Sequence, residues 1–195
     1  ANSTEPVLDW DTLEWWFGKE AELRELETES GELVSLDDLC FKPLGETCAI
    51  ESFTQYFQGD IRYVNQDNWA QELGACAKSP VNCLPSFQQP LKPNILFSDD
   101  EPLKAKAFVV TLLLNSRLKD SSYTARAKAY EKAFQTWAKS LMHEKPELHV
   151  SFSTEISLEE ELNQSSSADV KVIVVSYFAM FLYASIALGG KIPTS

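Results

Sequence analysis

The longest uncharged stretch of the chain lies near its C-terminal end. Between Lys171 and Lys191 the sequence reads VIVVSYFAMFLYASIALGG, without a single charged residue. As an α-helix this run would be about 28 Å long, close to the thickness of the hydrocarbon core of a bilayer. Lysines flank it, and Tyr177 and Tyr183 are its only strongly polar-tipped side chains. The run predicts a membrane-spanning helix, with a buried core helix or a pair of buried strands as the alternatives.

Charge is unevenly distributed along the rest of the chain. The net charge is -12 at pH 7, yet residues 102–150 carry an excess of Lys and Arg, so the acids concentrate in residues 1–40. A solvated face explains such an acidic segment, and an acidic lumen would neutralise part of its charge. Because no basic stripe is interleaved with aromatic residues, nucleic acid is not expected as a partner.

The four cysteines occur in two closely spaced pairs, Cys40 with Cys48 and Cys76 with Cys83. Four cysteines allow three pairings, of which the two local ones need the least chain bending. Each local disulfide would contribute about 2.5 kcal/mol in the chain-entropy model. Reduced core thiols and zinc ligands are the alternatives, although the C-x2-C spacing of zinc sites is missing. Glycosylation sequons at Asn2 and Asn163 agree with a lumenal or extracellular compartment.

Apolar periodicity predicts a mixture of helices and strands. Apolar residues at helical spacing predict a first helix over residues 10–26, and a longer one over residues 121–141. β-branched and alternating patterns predict strands over residues 107–115 and 147–154. Strand, helix and strand in this order indicate a crossover unit in one sheet, and therefore an α+β sandwich with helices on one sheet face.

Two further segments predict contacts outside the folded domain. The polar loop QGDIRYVNQD carries Ile61, Tyr63 and Val64, and apolar side chains at a loop tip indicate docking unless they fold back onto the domain. A capping box that begins at Ser157 opens an acidic helix with one apolar edge. Its position before the uncharged run predicts an amphipathic helix at a membrane surface.

No catalytic or cofactor-binding pattern is present in the sequence. His143 and His149 are the only histidines and flank Pro146, so neither a metal pair nor a base poised by a carboxylate is expected. The chain has no G-x-S-x-G, no glycine-rich phosphate loop and no H-E-x-x-H. We therefore predict no enzyme activity, no metal and no cofactor, and a function in binding, transport or anchoring.

Several segments resemble a known family. CFKPLGETCAIESFTQYFQ, AFVVTLLLN, YEKAF and VSFSTEISLEEELNQSSSADVKVIVVSYFAMFLYASIALG are similar to the middle lumenal domain of Niemann-Pick type C sterol transporters, leading into the first helix of their sterol-sensing domain. The last of these segments resembles Patched-related members of the resistance-nodulation-division superfamily more loosely. Residues 76–90 resemble fungal members.

The resemblance implies a domain organisation. Residues 1–156 would form an α+β middle lumenal domain, of the ferredoxin-like, resistance-nodulation-division porter type with extra helices. A membrane-proximal amphipathic helix would follow over residues 157–170, then the first transmembrane helix of a sterol-sensing domain over 171–190, then the start of a cytosolic loop over 191–195. The family's disulfides map onto Cys40 with Cys48 and onto Cys76 with Cys83.

The resemblance also implies a noncatalytic role in sterol transport. The domain would dock a soluble lumenal sterol-carrier protein through Ile61, Tyr63 and Val64. Sterol would then pass along other domains of the same polypeptide toward the bilayer, on the lumenal side of a vacuolar or lysosomal membrane. A Patched-like receptor ectodomain that binds a protein ligand, and a structural spacer, are the alternatives. The residues implied to face sterol are Tyr177, Phe181 and Tyr183.

Overall fold

The computed structural model describes residues 5–28, 31–117 and 120–189, which divide into two compact units, residues 1–151 and residues 152–195. The helices are α1 (Trp10–Glu22), α2 (Trp69–Lys78), α3 (Pro93–Leu96), α4 (Ser121–Glu144) and α5 (Glu155–Gly189). The strands are β1 (Glu25–Glu27), β2 (Leu33–Ser35), β3 (Ile50–Glu51) and β4 (Thr111–Leu112). Short 3-10 turns connect these elements, at Leu36–Asp38, Phe53–Phe57, Ile61–Tyr63, Pro80–Asn82 and Pro102–Lys104.

The strands of the described residues form two small antiparallel sheets. β1 pairs with β2, and β3 pairs with β4. Isolated bridges join Cys40 to Leu114 and Phe97 to Phe108. The architecture therefore contains both helices and sheets, which agrees with the general α+β prediction. Two-stranded sheets do not confirm the ferredoxin-like, porter-type assignment.

The predicted strand–helix–strand crossover is wrong in its second strand. The central helix is confirmed as α4 and part of residues 107–115 forms β4, but residues 147–154 contain no strand. Leu148 and Val150 are partly buried while His149 between them is exposed, which reproduces the predicted alternation. Alternation reports an extended, half-buried backbone and does not identify a pairing partner. Residues 107–115 find their partners elsewhere, in β3, Cys40 and Phe97.

Helix α1 begins at Trp10, as predicted, and ends at Glu22, four residues before the predicted end. Asp9 is its N-cap, and the Asp9 carboxylate accepts the Thr12 N–H at 2.7 Å. The predicted inner face is buried, including Leu13, Trp16 and Phe17. Leu26 is buried too, but as the central residue of β1, because the inward-facing pattern continues after the helix has stopped.

The core of the first unit has two clusters. In one, α1 packs on the Phe53–Phe57 turn, with the rings of Phe53 and Phe108 edge to face at 5.2 Å. In the other, the β1–β2 hairpin packs on α4, where the buried Tyr130 hydroxyl donates to the carbonyl of Leu23 at 2.7 Å. Burial raises the pKa of Tyr130 well above its ordinary value, so this phenol remains a donor.

The second unit is dominated by α5. The Thr154 N–H donates to Ser157 Oγ at 2.9 Å, and the Ser157 N–H donates to Thr154 Oγ1 at 3.1 Å. This reciprocal cap begins α5 at Glu155, and the helix continues without a break to Gly189. The large apolar side chains that are described between Val172 and Ile186 are exposed. Judged on the described residues, no helix combines the length and apolar character needed to cross a membrane, so the predicted span is not confirmed.

Candidate functional site

The loop that carries the predicted docking residues has a defined conformation. The Phe53–Phe57 turn ends at Gln58, whose backbone is left-handed with φ 54°. Asp60 then caps the Ile61–Tyr63 turn, because its carboxylate accepts the Arg62 N–H at 2.9 Å and the Arg62 Nη2 at 2.6 Å. The hydrogen bonds from Arg62 hold the pKa of Asp60 below its ordinary value, so the carboxylate stays ionised in mildly acidic solution.

The three predicted docking residues have different environments. Tyr63 is 61% exposed, whereas Val64 is 6% exposed and belongs to the core cluster around α1. Ile61 is partly buried and packs against the same cluster. Val64 and in part Ile61 thus fold back onto the domain, which is the stated alternative to docking. Of the three predicted docking residues, Tyr63 is the one with a mostly exposed side chain.

Tyr63 lines a surface groove, which we call the Tyr63 groove, with a volume of about 400 Å³. Its lining comes from the Phe53–Phe57 turn and Gln58, from α2, and from residues 81–88. Val81, also in the lining, is 66% exposed. Two exposed apolar side chains from separate segments therefore meet at one groove.

A disulfide fixes one side of the Tyr63 groove. Cys76 of α2 is bonded to Cys83, with their Cα atoms 5.4 Å apart, and both cysteines line the groove. The crosslink closes a short loop that contains Val81, so the position of Val81 relative to α2 is covalently restricted. The predicted pairing is confirmed here.

The second predicted disulfide, Cys40–Cys48, is also confirmed and lies in the cluster between the β1–β2 hairpin and α4. Asp37 Oδ1 is 3.1 Å from the Sγ of Cys48, so a carboxylate and two sulfurs converge. Since both sulfurs are joined to each other, neither is available as a thiolate ligand for zinc.

The electrostatic character of the Tyr63 groove is set by few groups. The Tyr56 hydroxyl donates to the Leu91 carbonyl at 2.9 Å, and burial raises the pKa of Tyr56 to about 12, so this phenol is neutral. Glu72 of α2 is the one formally charged side chain in the described lining. The other polar groups of the lining are the Tyr63 hydroxyl and the carboxamides of Gln58, Asn82 and Gln88.

A buried carboxylate supports the turn from which the docking loop extends. Glu20 of α1 is 6% exposed, and its oxygens accept four hydrogen bonds. The donors are Ser52 Oγ at 2.5 Å, Thr54 Oγ1 at 2.5 Å, Gln55 Nε2 at 2.8 Å and Trp16 Nε1 at 3.2 Å. Sequence reasoning missed this residue, because three of its four partners lie more than thirty positions further along the chain.

The remaining predicted residues are placed as follows. Tyr177, Phe181 and Tyr183 are exposed on α5. Tyr177 and Phe181 are four residues apart and share a face, whereas Tyr183 is about 240° around the helix from Tyr177, so the three do not form one surface. Asn163 falls within α5, and Asn2 lies outside the described residues.

Comparisons with known proteins agree with the sequence resemblance. Residues 1–156 match the family model described as NPC1, middle luminal domain. NPC intracellular cholesterol transporter 1 from Sus scrofa is 33% identical over 186 residues, which cover 82% of this chain and 14% of the pig protein. NPC1-like intracellular cholesterol transporter 1 from Mus musculus is 28% identical over 218 residues, 94% of this chain and 16% of the mouse protein.

A more distant relative is NPC intracellular cholesterol transporter 1 homolog 1 from Caenorhabditis elegans. It is 23% identical over 222 residues, covering 94% of this chain and 16% of the nematode protein. The chain thus spans about one sixth of the length of these relatives or less. Since the family model covers most of its residues, the chain belongs to the family of the NPC1 middle luminal domain.

Proposed function

We propose that this chain is the lumenal part of an intracellular sterol transporter, which docks a soluble sterol-carrier protein and helps to pass sterol to a membrane domain. The relatives are named as cholesterol transporters, which supports sterol as the cargo. The observation that carries the docking step is the 61% exposure of Tyr63 on a loop whose neighbours are fixed in place.

An exposed tyrosine on an ordered loop suits a protein contact. Tyrosine brings a large apolar surface with one polar tip, and it is enriched among the residues that dominate interface energies. The buried Val64 anchors the loop, and the Asp60–Arg62 pair orders its tip. Little conformational entropy is then lost on binding, which improves affinity without adding contacts.

The proposed setting is the lumen of a vacuole or lysosome, with a fungal vacuolar protein as the specific case. Two disulfides fit a compartment outside the reducing cytosol. In this proposal the predicted transmembrane segment, residues 171–190, leads into the membrane domain, and Tyr177 and Phe181, which share one face of α5, contact sterol. Tyr183, on another face, would contact a neighbouring helix or lipid.

The docking step is tested by the affinity of the sterol-loaded carrier for the 195-residue chain in detergent at about pH 5. We expect Tyr63→Ala to weaken binding at least about tenfold, equivalent to about 1.4 kcal/mol. Leu33→Ala is the matched control, because Leu33 is 64% exposed on the β1–β2 hairpin. Equal affinities for the two variants would overturn the assignment of Tyr63. Val64→Asp is not a useful variant, since it places a charge in the core.

Transport measurements separate the other functions. Labelled sterol should move more slowly through the full-length protein when this domain is replaced by a homologous domain that does not bind the carrier. Undiminished transport in that chimaera would favour a structural spacer. A protein ligand that binds the domain, with transport independent of the carrier, would favour a Patched-like receptor.

A further inference from the structure

The Tyr63 groove holds two backbone outliers. Among the described residues, only Gln58 (φ 54°) and Gln88 (φ 61°) have a left-handed backbone without being glycine, and both line the groove. A Cβ atom makes this conformation unfavourable, and glutamine has no particular preference for it. Strained backbone of this kind is concentrated at binding sites. Glycine would fit both positions more easily, so the two side chains are candidates for a role in binding.

The polar groups of the groove are complementary to a peptide backbone. Each carboxamide of Gln58, Asn82 and Gln88 offers both a donor and an acceptor, the same pair that a peptide unit offers. Neither Gln58 nor Asn82 uses its side-chain amide in a hydrogen bond to another described residue, and the Gln88 amide makes one long contact of 3.4 Å to the Pro85 carbonyl. These amides are therefore available to an incoming segment.

The negative charge in the groove favours a positively charged segment. Glu72 is the single charged side chain in the described lining, and no Lys or Arg lies beside it there. Glu72 forms no ion pair with any residue that the structure describes. The nearby Arg62 is already paired with Asp60. An unpaired carboxylate beside aromatic rings favours a cation whose stem can lie against apolar surface.

We propose that the Tyr63 groove binds a protruding peptide loop of the docking partner, and that this loop presents an arginine or lysine. The aliphatic stem of that side chain lies against Tyr63 and Val81, and its cation meets Glu72. The carboxamides of Gln58 and Gln88 hydrogen-bond the peptide groups of the loop. This rests on the proposed function, in which the partner is the sterol carrier, and it adds a recognition chemistry and a second segment, residues 81–88, to the contact with Tyr63.

The first experiment measures carrier affinity at 50 mM and 300 mM salt for Glu72→Gln and for its control Asp67→Asn. Asp67 is an exposed acid just before α2 and lies outside the lining. We expect Glu72→Gln to weaken binding about fivefold or more at low salt and to reduce the salt dependence, because one attractive charge pair is lost. Asp67→Asn should change neither. Equal effects of the two variants would overturn the proposed cation contact.

The second experiment separates binding from folding. Gln58→Gly and Gln88→Gly should leave the melting temperature unchanged or raise it, since glycine accepts φ values near +60° without strain. Both should weaken carrier binding several-fold, whereas Gln89→Gly, at the exposed neighbouring residue outside the lining, should not. Unchanged affinity in both groove variants would contradict the proposed contact with the peptide backbone.

Short peptides test the proposed groove contacts without the carrier. Amide chemical shifts of the labelled chain are followed during titration with Ac-Gly-Arg-Gly-NH2 or Ac-Gly-Glu-Gly-NH2. Shifts at residues 56–58, 63, 72 and 81–88 with the arginine peptide alone would support the groove chemistry even if the carrier does not bind, which would refute only the proposed function. Equal responses to the two peptides, or none, would overturn the inference. Carrier binding that depends on Tyr63 but not on Glu72, Gln58 or Gln88 would overturn the inference and leave the proposed function intact.

Discussion

Removing the Glu20 carboxylate is expected to cost the fold more than removing any exposed acid. Glu20→Ala leaves four donors without their acceptor, on Trp16, Ser52, Thr54 and Gln55. Ser52 and Thr54 are fully buried, so water cannot replace the carboxylate without rearrangement. Thr54 Oγ1 retains an alternative acceptor in Ser52 Oγ at 3.1 Å, and Gln55 Nε2 retains one in Thr54 Oγ1 at 3.4 Å. The loss is thereby reduced to about two unpaired donors, the Trp16 indole and the Ser52 hydroxyl.

The expected magnitude follows from these contacts. Each buried donor that is left without an acceptor costs about 1–3 kcal/mol. For about two such donors, we expect Glu20→Ala to lower the free energy of unfolding by about 2–6 kcal/mol. Glu20→Gln keeps one acceptor oxygen, and a buried hydroxyl can rotate to accept from the new amide. The indole of Trp16 cannot accept, so about 1–2 kcal/mol should still be lost when the amide faces it.

The assay is urea unfolding of the 195-residue chain, followed by tryptophan fluorescence, because Trp16 lies in the core and reports loss of this packing. Glu14→Gln is the matched control, since Glu14 is an exposed acid on the same helix, and it should change stability by less than about 0.5 kcal/mol. We predict that the loss of stability is largest for Glu20→Ala, smaller for Glu20→Gln and smallest for the control. Values for Glu20→Ala within error of Glu14→Gln would refute the idea that this network stabilises the fold.

Three further predictions concern other parts of the first unit. Tyr130→Phe removes a buried donor from a backbone carbonyl and should lower the free energy of unfolding by about 1–2 kcal/mol; an unchanged urea midpoint would contradict this. Replacing both Cys76 and Cys83 by serine opens a short loop and should cost about 2.5 kcal/mol, whereas reducing agent should then have no further effect at this pair. Because Arg62 lowers the pKa of Asp60 below 3.8, the stabilising pair is fully present above that pH and is lost as pH falls through the lower value; a carboxyl NMR titration with a midpoint at or above 3.8 would contradict it.

The elements that the sequence predicts well are those that local periodicity determines. α4 repeats its inward-facing residues over many turns, and it is found within three residues of the predicted end. Leu13, Trp16 and Phe17 of α1 are buried as their spacing indicates. The two disulfides join cysteines separated by seven and eight positions, so proximity in sequence was already a strong constraint on their pairing.

The elements that the sequence predicts poorly depend on distant partners. Residues 147–154 have the alternation of a strand, but a strand also needs a pairing partner. In the fold, β3, Cys40 and Phe97 pair with residues 107–115 instead. Glu20 looks like one more acid of a solvated segment until residues 52–55 fold over it. Left-handed backbone at Gln58 and Gln88 carries no compositional signal, because the usual indicators are glycine and asparagine.

Three different kinds of interaction fix the segments of the Tyr63 groove to the core. Glu20 holds the Phe53–Phe57 turn by hydrogen bonds, a disulfide holds residues 81–83 against α2, and Val64 holds the loop by apolar burial. The ordering entropy of these segments is therefore paid when the domain folds and not when a partner binds. It follows that a change at Glu20 should weaken carrier binding only where the Phe53–Phe57 turn has loosened, whereas a change at Tyr63 should weaken binding in a fold of unaltered stability.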